Sequence, residues 1–154
     1  MIRNLAVLLP VLAFSLFARE LSQDELKLLR DSGGWEYISL SDNDSGFQTT
    51  HTCFDGRPHP HVCSGTLTLN SDNTFTQQVH IQGKTVSRNG KYDLDDNHIA
   101  FYDEFGTRDG PYRLTIDTRA KRLTLEMPQV RAELQLEKEY KKQRRSEAQN
   151  PPAR

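Results

Sequence analysis

Val130-Arg131-Ala132-Glu133-Leu134-Gln135-Leu136-Glu137 alternates apolar and polar residues at every step, and this stretch decides the fold. Side chains along a strand point to opposite faces with a period of two. Val130, Ala132, Leu134 and Leu136 therefore share one face, and Arg131, Glu133, Gln135 and Glu137 the other. One face is buried and the other wet. The same arrangement recurs upstream in Phe75, Val79 and Ile81, in Ile99 and Phe101, in Tyr112, Leu114 and Ile116, and in Leu123, Leu125 and Met127. Half-buried strands repeated in this way predict an antiparallel all-β domain.

Segments 66–69, 75–81, 98–103, 112–116, 122–127 and 130–137 read as strands, and weaker patterns at 35–40, 47–53 and 85–92 bring the total to about nine. The turns between them, Asn70-Ser71-Asp72-Asn73, Asp95-Asp96-Asn97 and Asp117-Thr118-Arg119-Ala120, are rich in residues that tolerate left-handed backbone and hydrogen-bond locally. Short connections make neighbours in sequence neighbours in space, which is a meander. With little helix to cover a sheet edge, closure into a small up-and-down barrel is the expected arrangement, and a two-sheet sandwich is the alternative.

Upstream, Ser22-Gln23-Asp24-Glu25 has capping-box spacing, and Arg30, Gly33 and Gly34 are stop signals, so a short helix is expected over 22–31. Before it, 1–18 reads as an export signal. Arg3 is the charged start, Leu5 to Phe17 is the apolar run, and Ala13, Ser15 and Ala18 are small residues for cleavage. That run, about thirteen residues, is shorter than the roughly twenty a membrane-spanning helix needs. The expected organisation is a signal over 1–18, a helical segment over 19–34, a barrel over 35–140 and a disordered basic tail over 141–154. A soluble, secreted or periplasmic monomer without a transmembrane anchor follows.

Cleavage leaves about 136 residues, enough for one modest core, and moves the formal charge from −1 to about −2. Such a balance excludes nucleic acid as an expected partner. The charge is uneven, since six Lys and Arg face two Glu between Lys138 and Arg154. A solubilising tail is the plain reading, and electrostatic contact with an acidic surface or lipid headgroup is the alternative.

The helix, the Gly33-Gly34-Trp35 entry to the first strand and the meander together resemble the bacterial lipocalin-like (calycin) barrels. In those proteins a Gly-x-Trp plugs one end of the barrel, and Gly33 and Trp35 match it. Gly65-Thr66-Leu67-Thr68-Leu69-Asn70-Ser71-Asp72-Asn73-Thr74-Phe75 is similar to a hairpin found in the same group. The resemblance implies a non-enzymatic barrel that binds a small apolar or amphipathic ligand, and an Arg from a late strand against the Trp. Arg131 is the available candidate for that Arg, although alternation puts it on the wet face. Trp35, Tyr37, Phe75, Phe101 and Tyr112 are the residues expected near the barrel mouth or its plug. Trp35 also reads as an ordinary core aromatic.

The densest chemistry lies between His51 and Cys63, where Cys53, Cys63, His51, His59 and His61 fall within thirteen positions. In an exported chain two cysteines are expected to pair, closing a loop of about ten residues worth about 2.5 to 3 kcal/mol. Phe54 and Arg57 would then stand at the tip, suited to a protein-binding module such as an inhibitor of an exported hydrolase. Alternatively, His51, His59 and His61, with or without the thiols, would hold zinc or copper.

No Gly-x-Ser-x-Gly elbow, phosphate-cradling glycine loop or His-Glu-x-x-His occurs. Acidic residues such as Asp93, Asp95, Asp96, Asp103, Glu104, Asp109 and Asp117 fall in turns, where local hydrogen bonding accounts for them. The chain is therefore expected to be neither an enzyme nor the carrier of a cofactor.

Overall fold

Ser22 sets the start of helix α1 (Gln23–Asp31): its hydroxyl accepts from the Glu25 amide at 3.3 Å while its own amide donates to Glu25 Oε2 at 2.7 Å. This reciprocal box satisfies two amides that the helix leaves without partners. Arg19 adds an ion pair to Glu25 at 3.0 Å. The Ser22 amide, foremost, together with its hydroxyl and Arg19, holds the Glu25 carboxyl below the usual carboxylate range against the opposing effect of burial. The computed structural model describes residues 19–44, 47–53, 63–81 and 83–149, with the backbone alone described at 43–44 and 47–51.

After α1 come β1 (Trp35–Asp44), β2 (Phe47–Thr52), β3 (Ser64–Leu69), β4 (Thr74–Ile81), β5 (Lys84–Asp95), β6 (His98–Asp103), β7 (Arg108–Asp117), β8 (Arg122–Glu126) and β9 (Val130–Leu136). From β3 onward each pairs antiparallel with the next. β9 then returns to β1, with Leu136 opposite Trp35 and Val130 opposite Asp42, and the sheet closes. Full closure removes the exposed edges that an open sheet of this size would present.

β2 and β3 lie in file along one edge of β1. Thr52 faces Ser39 and Phe47 faces Asp44, while Thr66 and Leu67 face Glu36 and Trp35. They therefore fill a single position, and the nine segments form an eight-position barrel. The Cys53 amide donates to the Ile38 carbonyl at the end of β2, and the Cys63 amide donates to the Thr52 carbonyl beside it. The two cysteines bridge as neighbours and are joined by the expected disulfide, with Cα atoms 4.2 Å apart.

All nine expected strands form, but β1 runs on to Asp44, β5 to Asp95 and β7 begins at Arg108, beyond the segments in which the alternation is clear. Leu67, Leu69, Phe75, Tyr92, Ile99, Phe101, Leu114, Leu123, Leu125 and Leu134 form one continuous core with Leu29 and Trp35. The acidic turns behave as their chemistry predicts, since Asp72 accepts from Thr74 and Asp117 from the amides of Arg119 and Ala120. Left-handed backbone falls at Asn73, Asp96 and Lys121.

The segment beyond β9 corrects the expectation of a disordered tail. Helix α2 (Glu137–Gln149) begins at the last residue assigned to the final strand and runs through most of 141–154, leaving 150–154 outside the described residues. Its Glu, Lys, Gln and Arg are good helix formers. Glu137 pairs with Lys141 and Arg144 with Glu147 along its surface, and buried Tyr140 anchors it. Gln135, expected on the wet face, is also buried: its amide donates to the carbonyls of Ala120 and Lys121 while Arg122 donates to it.

Candidate functional site

The barrel has two unlike ends. At one, α1 lies across the opening: Trp35 is wholly buried with its indole N–H donating to the Leu29 carbonyl at 3.3 Å. There Arg30 packs over the Tyr92 ring and donates to the Asn73 side chain at 3.1 Å. At the end remote from α1, a cavity of about 100 Å³ opens among Tyr37, Leu40, Gln77, Val79, Phe101, Asp109, Tyr112, Leu125, Val130 and Ala132. Three of the aromatic residues expected at a mouth, Tyr37, Phe101 and Tyr112, meet here. Phe75 stands behind Phe101 in an edge-to-face contact with centroids 4.9 Å apart, and Trp35 belongs to the sealed end.

Two sets of polar contacts border the cavity. Gln77 donates to the Tyr37 hydroxyl at 2.7 Å, the Tyr112 hydroxyl donates to Asp109 Oδ1 at 2.6 Å, and Arg88 pairs with Asp109 Oδ2 at 2.5 Å. Burial pushes the Tyr37 hydroxyl up to about 12. Tyr112 is raised as well, first by burial and then by its bond to Asp109. Both phenols therefore remain protonated at neutral pH. Arg88 and Asp109 balance each other, so the rim presents neutral hydroxyl and amide groups beside a compensated ion pair.

Two of these residues were legible by phase alone. Gln77 falls between Phe75 and Val79 on the inward face of β4, and Arg88 shares its phase with Tyr92 and Leu94 on β5. Asp109 is different. Strict alternation from Tyr112 would turn it outward, but β7 slips against β6 between the pairs Ile99–Tyr112 and Phe101–Asp109, where Gly110 and Pro111 form a bulge. A bulge places one extra residue in the strand and changes its phase. Asp109 thus turns inward beside Tyr112, correcting its assignment to a solvated turn. Gly110 adopts φ +109°, and a Cβ there would lie 2.9 Å from the Ile99 carbonyl oxygen. The Gly110-Pro111 pair directly before the expected strand 112–116 was the available signal.

Arg131 does not reach Trp35. It faces Ser41, six places along β1 from Trp35, and pairs with Glu126 at 3.6 Å and Glu133 at 2.9 Å on the outer surface. The disulfide occupies both thiols, which removes them from the expected His/Cys ligand set. Phe54, Arg57, His59, His61 and the side chain of His51 lie outside the described residues. Among the described residues no helix is long and apolar enough to cross a membrane. Comparison with known protein families and with characterised proteins returned no match to this chain.

Proposed function

We propose that the protein is an exported, non-enzymatic, lipocalin-like barrel that takes a small apolar or amphipathic ligand at the end remote from α1. The observation that carries this reading is the cavity of about 100 Å³, apolar on Val79, Phe101, Leu125 and Val130 and polar on Tyr37, Gln77 and Tyr112. A barrel of about eight strands is just wide enough to be filled or to hold one small ligand. Here the volume is below the ~150 Å³ that admits benzene in an engineered cavity. It suits a short apolar end, with the rest of the molecule left outside. The compensated Arg88–Asp109 pair favours a neutral polar head, because a charged one would lose hydration without gaining a partner. The disulfide and the reading of 1–18 support an oxidising compartment.

Native mass spectrometry of the protein recovered from its producing host tests this. The wild type is expected to carry a small neutral organic adduct that Val79→Phe, which fills the cavity, loses. An adduct retained by Val79→Phe, or none on the wild type, would defeat the reading.

A second reading, a protein-binding loop that inhibits an exported hydrolase, is favoured by one observation. Cys53 and Cys63 are both buried in the barrel wall, so the interval carrying Phe54 and Arg57 starts and ends at a fixed base. Arg57→Ala would then abolish partner capture while leaving the cavity adduct in place. Zinc or copper binding by His51, His59 and His61 is tested by metal content before and after all three are changed to Ala.

A further inference from the structure

Helix α2 carries most of its cations along one exposed stripe. Glu139, Gln143 and Glu147, with Lys142 and Ser146 at its margin, share a cleft with Ala120, Arg122 and Gln135 on the barrel, on the same side as buried Tyr140. Lys138, Lys141, Lys142 and Arg145 are exposed, and they line a shallow depression together with Ser146 and Gln149, adjoining the cleft at Lys142 and Ser146. Their spacing of three, four and seven residues sets them in one stripe, about 10 Å long at 1.5 Å per residue. Glu137 pairs with Lys141 at one margin of the stripe and exposed Glu139 and Glu147 lie on the cleft side, so no carboxylate lines the depression itself, in a chain whose overall formal charge is only −1.

We propose that this stripe docks the protein on the anionic headgroups of a phospholipid membrane. A linear row of four cations matches a plane of diffuse negative charge, and clusters of this size on a helix are of the kind that bind acidic lipids. An acidic protein partner fits less well, because stable protein interfaces centre on a desolvated apolar patch, and the six residues of the depression include no apolar side chain. The association is peripheral, since the buried tyrosine of α2 faces the barrel and leaves no apolar face to insert. Glu137, the first residue of α2, donates its amide to Gly34 beside the sealed end, so a docked molecule leaves the cavity end uncovered.

The test is co-sedimentation of the full chain with vesicles of phosphatidylcholine alone and of phosphatidylcholine with about a third phosphatidylglycerol, at low and high salt. Binding is expected only to the anionic vesicles and is expected to fall steeply in ~0.5 M salt, where screening shortens to a few ångströms. Changing Lys138, Lys141, Lys142 and Arg145 together to Gln should weaken it at least a hundredfold, at about fivefold per cation. Gln preserves helix propensity, and circular dichroism of the variant checks the fold. If the variant is impaired in folding, the salt series on the wild type decides alone. Equal binding to neutral vesicles, salt-insensitive binding, no binding, or preferential capture by soluble polyglutamate would overturn the proposal.

Discussion

Tyr37 ties the chemistry of the cavity to the stability of the barrel. Its hydroxyl is pushed up to about 12, chiefly by burial, whereas in the unfolded chain it titrates near 10. Below pH ~10 both states keep the proton. Above that the unfolded chain releases it while the barrel retains it, so stability falls as pH rises toward 12. Denaturation of wild type and Tyr37→Phe at pH 9 and 11.5 should show the wild type losing about 2 kcal/mol relative to the variant; parallel losses would show that Tyr37 is not held in this way. Phe101, in contact with the rings of Phe75 and Tyr112, is the structural centre of the same site, and Phe101→Ala should cost about 3 to 5 kcal/mol by urea denaturation. Tyr37, Phe101 and Tyr112 were legible in the sequence as inward aromatics, and Gln77 and Arg88 could have been read from phase. Asp109 was not legible by alternation, because the Gly110-Pro111 bulge reverses the phase on which such reading depends.

At the scale of elements, the strands follow the alternation because each has one face against the core and one in water, while the two helices contrast. For α1 the signal was local: Ser22 and Glu25 make the reciprocal bonds their spacing implies, and Ser22→Ala should cost about 1 kcal/mol in thermal unfolding. For α2 the composition suggested a solvated tail, and what makes it a docked helix is tertiary. Tyr140 finds a buried site against the barrel, which a net-charge argument does not register. The Cys53–Cys63 bridge belongs to this scale too. It fastens the junction where β2 ends and β3 begins, so replacing both cysteines with Ala should lower stability by about 2.5 to 3 kcal/mol. The β-sheet circular dichroism should persist, because the β1–β9 seam closes the barrel independently of the bridge.

For the whole molecule, the sealed and open ends divide the work. α1 and Trp35 close one end and supply core, while the remote end keeps a small cavity with hydroxyls at its rim. Closure itself was legible as the economical fate of a long meander, but the in-file placement of β2 and β3 was not, since it depends on which part of β1 each segment meets. The central claim, that a small neutral amphipath enters beside Val79, Leu125 and Val130, is tested most directly by methyl-resolved NMR during titration with short-chain 1-alkanols and the matching carboxylates. Saturable shifts are predicted for those three methyl groups with the alcohols, weaker ones with the carboxylates, and none at Leu29 under the sealed end. Non-saturable shifts, or saturable shifts confined to residues outside the cavity, would contradict the account.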